Sequence, residues 1–463
     1  MYDLVILGAG SAGFAAAIKA SELGKQFALI ERGALGGTCV NVGCVPTKFL
    51  LRVSDFYYSI RDYSFRGVNG GSPVLDFVQV MDKKDELVQF MRKNKYEDVL
   101  NHLSGGTLFH GEGSFISRNE VKVGEQVLRA KKFLIATGAS PHIISIKGIQ
   151  KAKPLTSTTA LELQQLPESM IVIGGRALGL EFAQLFARLG TKVTILQRSS
   201  RILPADEPEI TQVLTDILRD EGIQILTGVK ILEVIKKGKS SIVKFRMGSK
   251  DRDIEAEQLL MATGRKANIE HLGLKNARVE TEKGFVKTNE FLQTSNPDIY
   301  AAGDCASQVM LEPLAAKMGN LAVRNAFENA RLSVNWKTIP SVVFTNPQVA
   351  RVGFTDEEYS CIMQMCTCRT IPLALLPKAH IIDDTRGVIK MVTDSRTLKI
   401  VGVHIVSSEA MEMIHEATLA VKFGLTVDDI IETVHVFPTM SEAIKLVAQS
   451  FRKDVTKLSC CSE

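Results

Sequence analysis

Short apolar runs punctuated by glycine dominate the chain, and one arrangement of them occurs twice. Leu4-Val5-Ile6-Leu7 reads as a strand that runs into Gly8-Ala9-Gly10-Ser11-Ala12-Gly13 and then into an alanine-rich helix over 14–23. Met170-Ile171-Val172-Ile173 leads in the same way into Gly174-Gly175-Arg176-Ala177-Leu178-Gly179 and a helix through Arg188. A second strand follows each helix, at 27–30 and 193–196. Each unit closes on a matching strand and turn, ending in Ala136-Thr137-Gly138 and Ala262-Thr263-Gly264. Two copies of strand, glycine turn, helix and strand predict two Rossmann-like dinucleotide-binding domains in an α/β protein.

A further nucleotide-domain segment spans 296–306, ending Ala301-Ala302-Gly303-Asp304-Cys305-Ala306. From about residue 334 the pattern changes. Apolar runs at 342–344, 389–392 and 400–406 read as strands, and 408–424 and 440–452 as helices, so an α+β third domain is expected. The expected division is 1–149 and 268–333 for the first nucleotide domain, 150–267 for the second and 334–463 for the C-terminal one. At 463 residues the chain is long enough for several cores.

Composition narrows the function classes. Charged residues make up 23% and the formal charge is only +5, with no Lys/Arg block, which points away from nucleic acid. No secretory signal precedes Leu4 and no apolar stretch approaches membrane-spanning length, so a cytoplasmic protein with no membrane partner is expected. In that compartment a disulfide is expected to be catalytic rather than structural. Eight cysteines, at 39, 44, 305, 361, 366, 368, 460 and 461, are too sparse for a disulfide scaffold.

The glycine turns suggest what each unit holds. Gly8 permits the tight turn, Gly10 lets the backbone approach a pyrophosphate and Gly13 lets helix pack on strand. Helix N–H groups then face the phosphates. Glu31, ending the second strand, is placed to accept from ribose hydroxyls. In the second unit Gly174, Gly175 and Gly179 remain, but Arg176 stands at the middle glycine, implying either a relaxed backbone or a guanidinium that meets phosphate. Gln197 replaces the acid and is followed by Arg198 and Arg201. An acid would repel a 2′-phosphate and arginines would attract it, so NADPH is expected there rather than NADH.

Gly36-Gly37-Thr38-Cys39-Val40-Asn41-Val42-Gly43-Cys44-Val45-Pro46-Thr47-Lys48 is the most specific stretch. If helical, its cysteines lie between one and two turns apart, close enough to bridge with modest distortion. Pro46 suggests that they occupy the first turns of a helix, where the dipole favours a thiolate, and Lys48 adds positive charge. This stretch, both nucleotide turns, Ala136-Thr137-Gly138 and Gly303-Asp304 resemble the flavin (pyridine nucleotide-disulfide) oxidoreductase family over essentially the whole chain.

The resemblance implies FAD in the first unit, held by Gly8, Gly10, Gly13, Glu31, Gly37, Thr38, Gly113, Thr137, Gly138 and Asp304. It implies NAD(P)H in the second, against Gly174 to Gly179, Arg198, Arg201 and Gly264. Cys44 would be the thiolate against the flavin and Cys39 the interchange thiol. Lys48 would pair with Glu181 near the flavin, and the C-terminal domain would build a homodimer.

Members that reduce organic disulfides carry His-Pro-Thr with a following Glu as an acid/base dyad, because a thiol leaving group needs a proton. Here the text is His435-Val436-Phe437-Pro438-Thr439 with Glu442, so Phe437 occupies the histidine position and His435 comes two residues early. The tail, Leu458-Ser459-Cys460-Cys461-Ser462-Glu463, resembles that of the mercuric reductase branch. There, vicinal cysteines pass Hg(II) across the dimer to the inner pair; thiolates suit a soft ion. Lys95-Tyr96-Glu97 resembles a segment of that branch whose tyrosine lies at the metal site. The branch often has an extra N-terminal metal-binding domain; with the flavin strand at Leu4–Leu7, the expectation is a catalytic core without one. The expectation is Hg(II) reduction, with Cys39, Cys44, Cys460 and Cys461 as metal ligands. Cys361, Cys366 and Cys368 are expected to be incidental thiols, and Cys305 a packing residue.

Overall fold

The computed structural model describes residues 1–459 apart from 63, 64, 66, 69 and 364. Strand Tyr2–Leu7 lies mid-sheet, parallel to Phe27–Glu31 on one side and to Gln126–Ile135 on the other. Gly106–His110 extends the parallel ladder beyond Phe27–Glu31. Ile299–Ala301 joins alongside Gln126–Ile135, so the chain returns to finish this sheet after leaving it. Val5, Ile6, Phe27, Leu29 and Phe133 are wholly buried, as parallel strands covered on both faces require. An antiparallel ribbon, Gly113–Ser117 and Glu120–Val123, completes the sheet.

The second unit repeats the plan. Ser169–Ile173 pairs in parallel with Lys192–Leu196 and Gln258–Met261, and Gln224–Leu226 lies outside. The three-stranded antiparallel sheet Val229–Lys237, Ser240–Met247 and Lys250–Ala256 shares its core. A short ladder of Ala139–Pro141 with Arg265–Ala267 ties the two nucleotide units together.

The third region is a five-stranded antiparallel sheet in the order Ser341–Val343, Gln348–Gly353, Ile400–Ser407, Val388–Asp394 and Cys366–Pro372. Helices Ala410–Phe423 and Glu442–Gln449 bury Met413, Ile414, Ala443 and Ile444 in its core. Buried charge then locks the regions together. Arg188 is 3% exposed and bonds Glu221 at 2.6 Å, Asp55 and the Asn346 carbonyl. Lys390 bonds Glu207 at 2.9 Å with both side chains buried. A buried ion pair is tolerated only when its partners are satisfied like this.

Candidate active site

Both glycine turns are forced by the same steric logic. Gly8 has φ +104° and Gly174 φ +117°, and a Cβ on either would lie 2.4 or 2.3 Å from the carbonyl oxygen of Ala136 or Ala262. A Cβ on Gly13 or Gly179 would lie 1.8 or 1.9 Å from the Gly8 or Gly174 carbonyl. The middle position differs. At Gly10 the nearest atom to an added Cβ is the Gly37 Cα at 3.8 Å, so nothing in the chain forbids a side chain there. Arg176 has φ −99° and ψ −179° against −79° and −171° at Gly10. Arg176 therefore keeps nearly the backbone conformation of Gly10, with its side chain exposed.

The acid and the amide at the strand ends also match. Ala9 N–H donates to Glu31 Oε2 at 2.8 Å and Gly33 N–H to Oε1 at 2.8 Å. Gly175 N–H donates to Gln197 Oε1 at 3.0 Å. Each carboxylate oxygen of Glu31 keeps a lone pair for a hydroxyl. A cavity of about 330 Å³ opens beside it, lined by Gly8, Glu31, Gly113, Thr137, His142 and Asn268. Thr137 Oγ1 donates to the Asn268 carbonyl at 2.8 Å and fixes that wall. An open middle glycine, a helix N-terminus and a free acid beside a cavity fit an adenine dinucleotide such as FAD.

In the second unit Arg198 is exposed at the strand end. Arg201 instead donates to the carbonyls of Pro204 and Asp206, both at 2.9 Å, and is half-buried in its own loop. Those two carbonyls tie one end of the Arg201 guanidinium to its own loop. Gly264 has φ +106° with nothing within 4 Å of an added Cβ, so its freedom serves the backbone turn.

The cysteine pair straddles a break rather than occupying one helix. Cys39 lies in the short helix Gly37–Val42, and Cys44 begins the long helix Cys44–Arg61. Gly43 makes the break at φ −134°, ψ −112°, where a Cβ would lie 2.8 Å from the Thr38 carbonyl and 3.3 Å from Cys39 Cα. That close approach folds Cys44 back on Cys39, and both are free thiols, Cys44 exposed and Cys39 half-buried. The hydrogen bond from Cys39 draws the Cys44 thiol down to about 7, with the Lys48 ammonium assisting against burial. The same bond drives Cys39 upward, so Cys44 carries the thiolate and Cys39 the proton.

Lys48 Nζ lies 2.6 Å from Glu181 Oε2 and 4.4 Å from the centre of the Phe344 ring. The Phe344 amide donates to Glu181 Oε1 at 2.9 Å. The structure also brings Tyr96 to the pair. It sits in a π-helical turn, Lys93–Glu97, a form often found at functional sites. Its ring packs edge-on against Phe14 at 4.9 Å and lies 2.9 Å from where a Gly36 Cβ would stand. Burial raises the Tyr96 hydroxyl, and negative charge at the cysteine pair and at Glu312 adds to it.

Asp304 lies in the turn Gly303–Cys305, where burial raises its carboxyl against the nearby Arg265. Cys305 is fully buried, its thiol donating to the Ile135 and Ala302 carbonyls at 3.4 and 3.3 Å. His435 Nε2 lies 2.8 Å from Glu416 Oε1, while Glu442 accepts from the Thr439 amide at 3.0 Å. His435 and Glu442 thus have separate partners, and Phe437 is 53% exposed. Cys460 and Cys461 lie outside the described residues.

Two residues at the site escaped the sequence reading. Glu312 opens helix Glu312–Glu328, and its charge raises both active-site thiols and Tyr96. Gly319 sets that placement, since a Cβ there would lie 2.0 Å from the Ala12 carbonyl, so the helix rides directly on the first glycine-turn helix. An acid followed by proline is an ordinary helix start and was the only available signal. Arg265, directly after the second Ala-Thr-Gly turn, reaches Thr38 Oγ1 at 3.4 Å, the Ala139 carbonyl and Asp304 at 4.0 Å.

With two glycine-turn domains, a thiol–thiolate pair and a third antiparallel domain in place, the class is that of flavin disulfide reductases. The pyridine nucleotide-disulphide oxidoreductase family model matches residues 2–319, and its dimerisation domain matches 339–448. The chain belongs to this family. A mercuric reductase of Staphylococcus aureus is 42% identical over 462 residues, covering 100% of this chain and 84% of the relative. A mercuric reductase of Streptomyces lividans is 40% identical over 468 residues, covering 100% and 98%. Among solved structures, the HOCl-induced flavoprotein disulfide reductase RclA of Escherichia coli superposes with a TM-score of 0.87 at 28% identity, covering 98% of this chain and 100% of that one. Among the described residues no helix is long and apolar enough to cross a membrane.

Proposed function

We propose that this protein reduces Hg(II) to Hg(0) with NADPH, as a homodimer whose active site is shared between subunits. The observation that carries the reading is Phe437 at the acid/base position, together with full-length similarity to proteins named mercuric reductase. A disulfide substrate needs a proton donor for its leaving thiol, whereas a metal ion needs only electrons and thiolate ligands. Bound FAD supplies the two-electron relay between NADPH and the cysteine pair.

The chain's own residues do the rest. Cys44, held as a thiolate by Cys39 and Lys48, offers the first sulfur to the incoming ion. Cys39 gives its proton to a departing carrier thiolate and becomes the second ligand. Tyr96 closes the site on the Gly36 side and supplies a polar hydroxyl beside the sulfurs. Cys460 and Cys461 of the partner subunit deliver Hg(II) by successive thiolate exchange, so the ion is never free. The overall balance is Hg(II) plus NADPH giving Hg(0), NADP+ and a proton. Arg198 and Arg176 face the phosphates of NADPH.

NADPH oxidation is measured with Hg(II) in excess thiol, alongside lipoamide, glutathione disulfide and Cu(II). Turnover with Hg(II) and none with the disulfides is expected; the reverse overturns the reading. Cys460→Ala/Cys461→Ala should cut turnover with Hg–thiol complexes and leave the flavin–thiolate absorption intact. Unchanged turnover removes the tail from the delivery route.

A further inference from the structure

Cys366 and Cys368, expected from the sequence to be incidental thiols, share a surrounding that their spacing does not reveal. They lie two residues apart on the edge strand Cys366–Pro372, so both project from the same face, and helix Asp356–Met363 covers that face. Asp356 on this helix meets both. The Cys366 thiol donates to its Oδ1, and the Cys368 thiol to its Oδ2 at 3.4 Å. Ser360 Oγ stands 3.0 Å from the Cys366 sulfur. From the neighbouring strand the Lys390 ammonium lies 3.6 Å from Asp356 Oδ2. Two thiols therefore converge on one carboxylate with a cation behind it, both half-buried and within reach of solvent.

We propose that Cys366 and Cys368 form a second metal site, for a soft two-coordinate d10 ion such as Hg(II), separate from the Cys39–Cys44 centre. Geometry selects this class of ligand. Same-face strand neighbours are about 6.6 Å apart at Cα, at the far limit for a disulfide. With metal–thiolate bonds of about 2.3 Å, a linear sulfur–metal–sulfur unit spans about 4.6 Å, shorter than the Cα separation and so suited to two same-face cysteine side chains inclined toward each other. No group of three His, Cys, Asp or Glu side chains among the described residues is arranged to hold a metal, so a four-coordinate zinc cage is not what the pair builds. Soft thiolates favour ions of the Hg(II) and Cu(I) kind.

Loading is an exchange without redox change. A carrier complex RS–Hg–SR meets the Cys366 thiol; a protein sulfur–mercury bond forms, one RS–Hg bond breaks, and the thiol proton leaves with the departing RSH. Cys368 repeats the step, releasing the second RSH and closing the chelate. Asp356, hydrogen-bonded to both thiols, takes each proton in passing and hands it on. The Lys390 ammonium offsets the charge of the Asp356 carboxylate beside the neutral dithiolate complex.

The test reads binding rather than turnover, so its failure is distinct from failure of the reductase reading. FAD-loaded protein carrying Cys460→Ala/Cys461→Ala, with Cys39–Cys44 oxidised, is titrated with HgCl2 and then alkylated with iodoacetamide. One equivalent should slow alkylation of Cys366 and Cys368 together by at least about tenfold, since the thiolate is the attacking form. Cys361, exposed on the covering helix, serves as the unpaired reference and should stay reactive. Adding Cys366→Ser/Cys368→Ser should remove one bound Hg(II) per chain, and either single serine variant should weaken retention against added thiol. The protection measurement needs no cysteine-to-serine variant, so a misfolded variant does not blunt it. The proposal is overturned if both thiols alkylate at the metal-free rate, if Cys361 is protected equally, or if Hg(II) stoichiometry is the same without the pair.

Discussion

Lys48 and Glu181 join across the two nucleotide domains, the ammonium on the Cys44 helix lying 2.6 Å from a carboxylate on the second glycine-turn helix. Glu181 is 5% exposed and its other oxygen is held by the Phe344 amide, so all three regions of the chain meet at this pair. It places a fixed positive charge one helical turn from the Cys44 sulfur. The charge that braces the domains is thus also one that lowers the Cys44 thiol.

Lys48→Met should therefore do two separable things. The Cys44 thiolate, present above about pH 7 and lost as pH falls through that value, should require a higher pH. The flavin–thiolate absorption followed against pH reads this directly. Glu181, left buried with its amide partner alone, should lower stability by about 3 kcal/mol, seen as a lower Tm. An absorption midpoint that stays put would detach Lys48 from the thiolate.

Glu312→Gln should move the same midpoint the other way. The Glu312 charge raises both thiols, and removing it leaves the Cys39 hydrogen bond and Lys48 less opposed. The thiolate should then persist to lower pH, and the acidic limb of the kcat/KM profile should shift down with it. A midpoint that rises would mean that Glu312 acts through packing rather than charge.

The sequence made the nucleotide framework legible because glycine is a steric requirement there. Gly8, Gly13, Gly174 and Gly179 each face a carbonyl that excludes any Cβ, so residue type and backbone path coincide. The same steric signal was present at Gly43 and was missed, since helical spacing alone put Cys39 and Cys44 in one helix. Glu312 escaped because it lies more than 250 positions along the chain from Cys44 and reaches it by the packing of its helix on the first glycine-turn helix, with Gly319 against Ala12. The carbonyl acceptors of Arg201, at Pro204 and Asp206, are likewise something that residue identity does not reveal. The grouping of Cys366, Cys368 and Asp356 depends on a helix folding over an edge strand, invisible to a search for ligand spacing.

Arg198 and Arg201 should separate under mutation. Arg198→Glu places an acid at the exposed strand end and should raise the KM for NADPH about tenfold or more, the loss of one charge-assisted contact, with NADH far less affected. Arg201→Ala deletes donors to Pro204 and Asp206 and should lower Tm while leaving the NADPH-to-NADH ratio of kcat/KM unchanged. A change of coenzyme ratio on Arg201→Ala would return that residue to the phosphate site.

The two glycines of the first turn make a sharper pair. Gly13→Ala sets a Cβ 1.8 Å from the Gly8 carbonyl, and backbone on both sides leaves no side chain to yield, so the turn must open and soluble protein should fall sharply. Gly10→Ala meets only the Gly37 Cα at 3.8 Å, ordinary contact distance, so the chain itself should fold. What the new methyl group does obstruct is the close approach of a pyrophosphate to the helix N-terminus. Gly10→Ala should therefore yield folded protein by circular dichroism that retains FAD at least about tenfold more weakly, a loss of about 1.4 kcal/mol. Full FAD occupancy in Gly10→Ala would mean that the dinucleotide does not cross the turn at Gly10, and the assignment of the first unit would have to be redrawn.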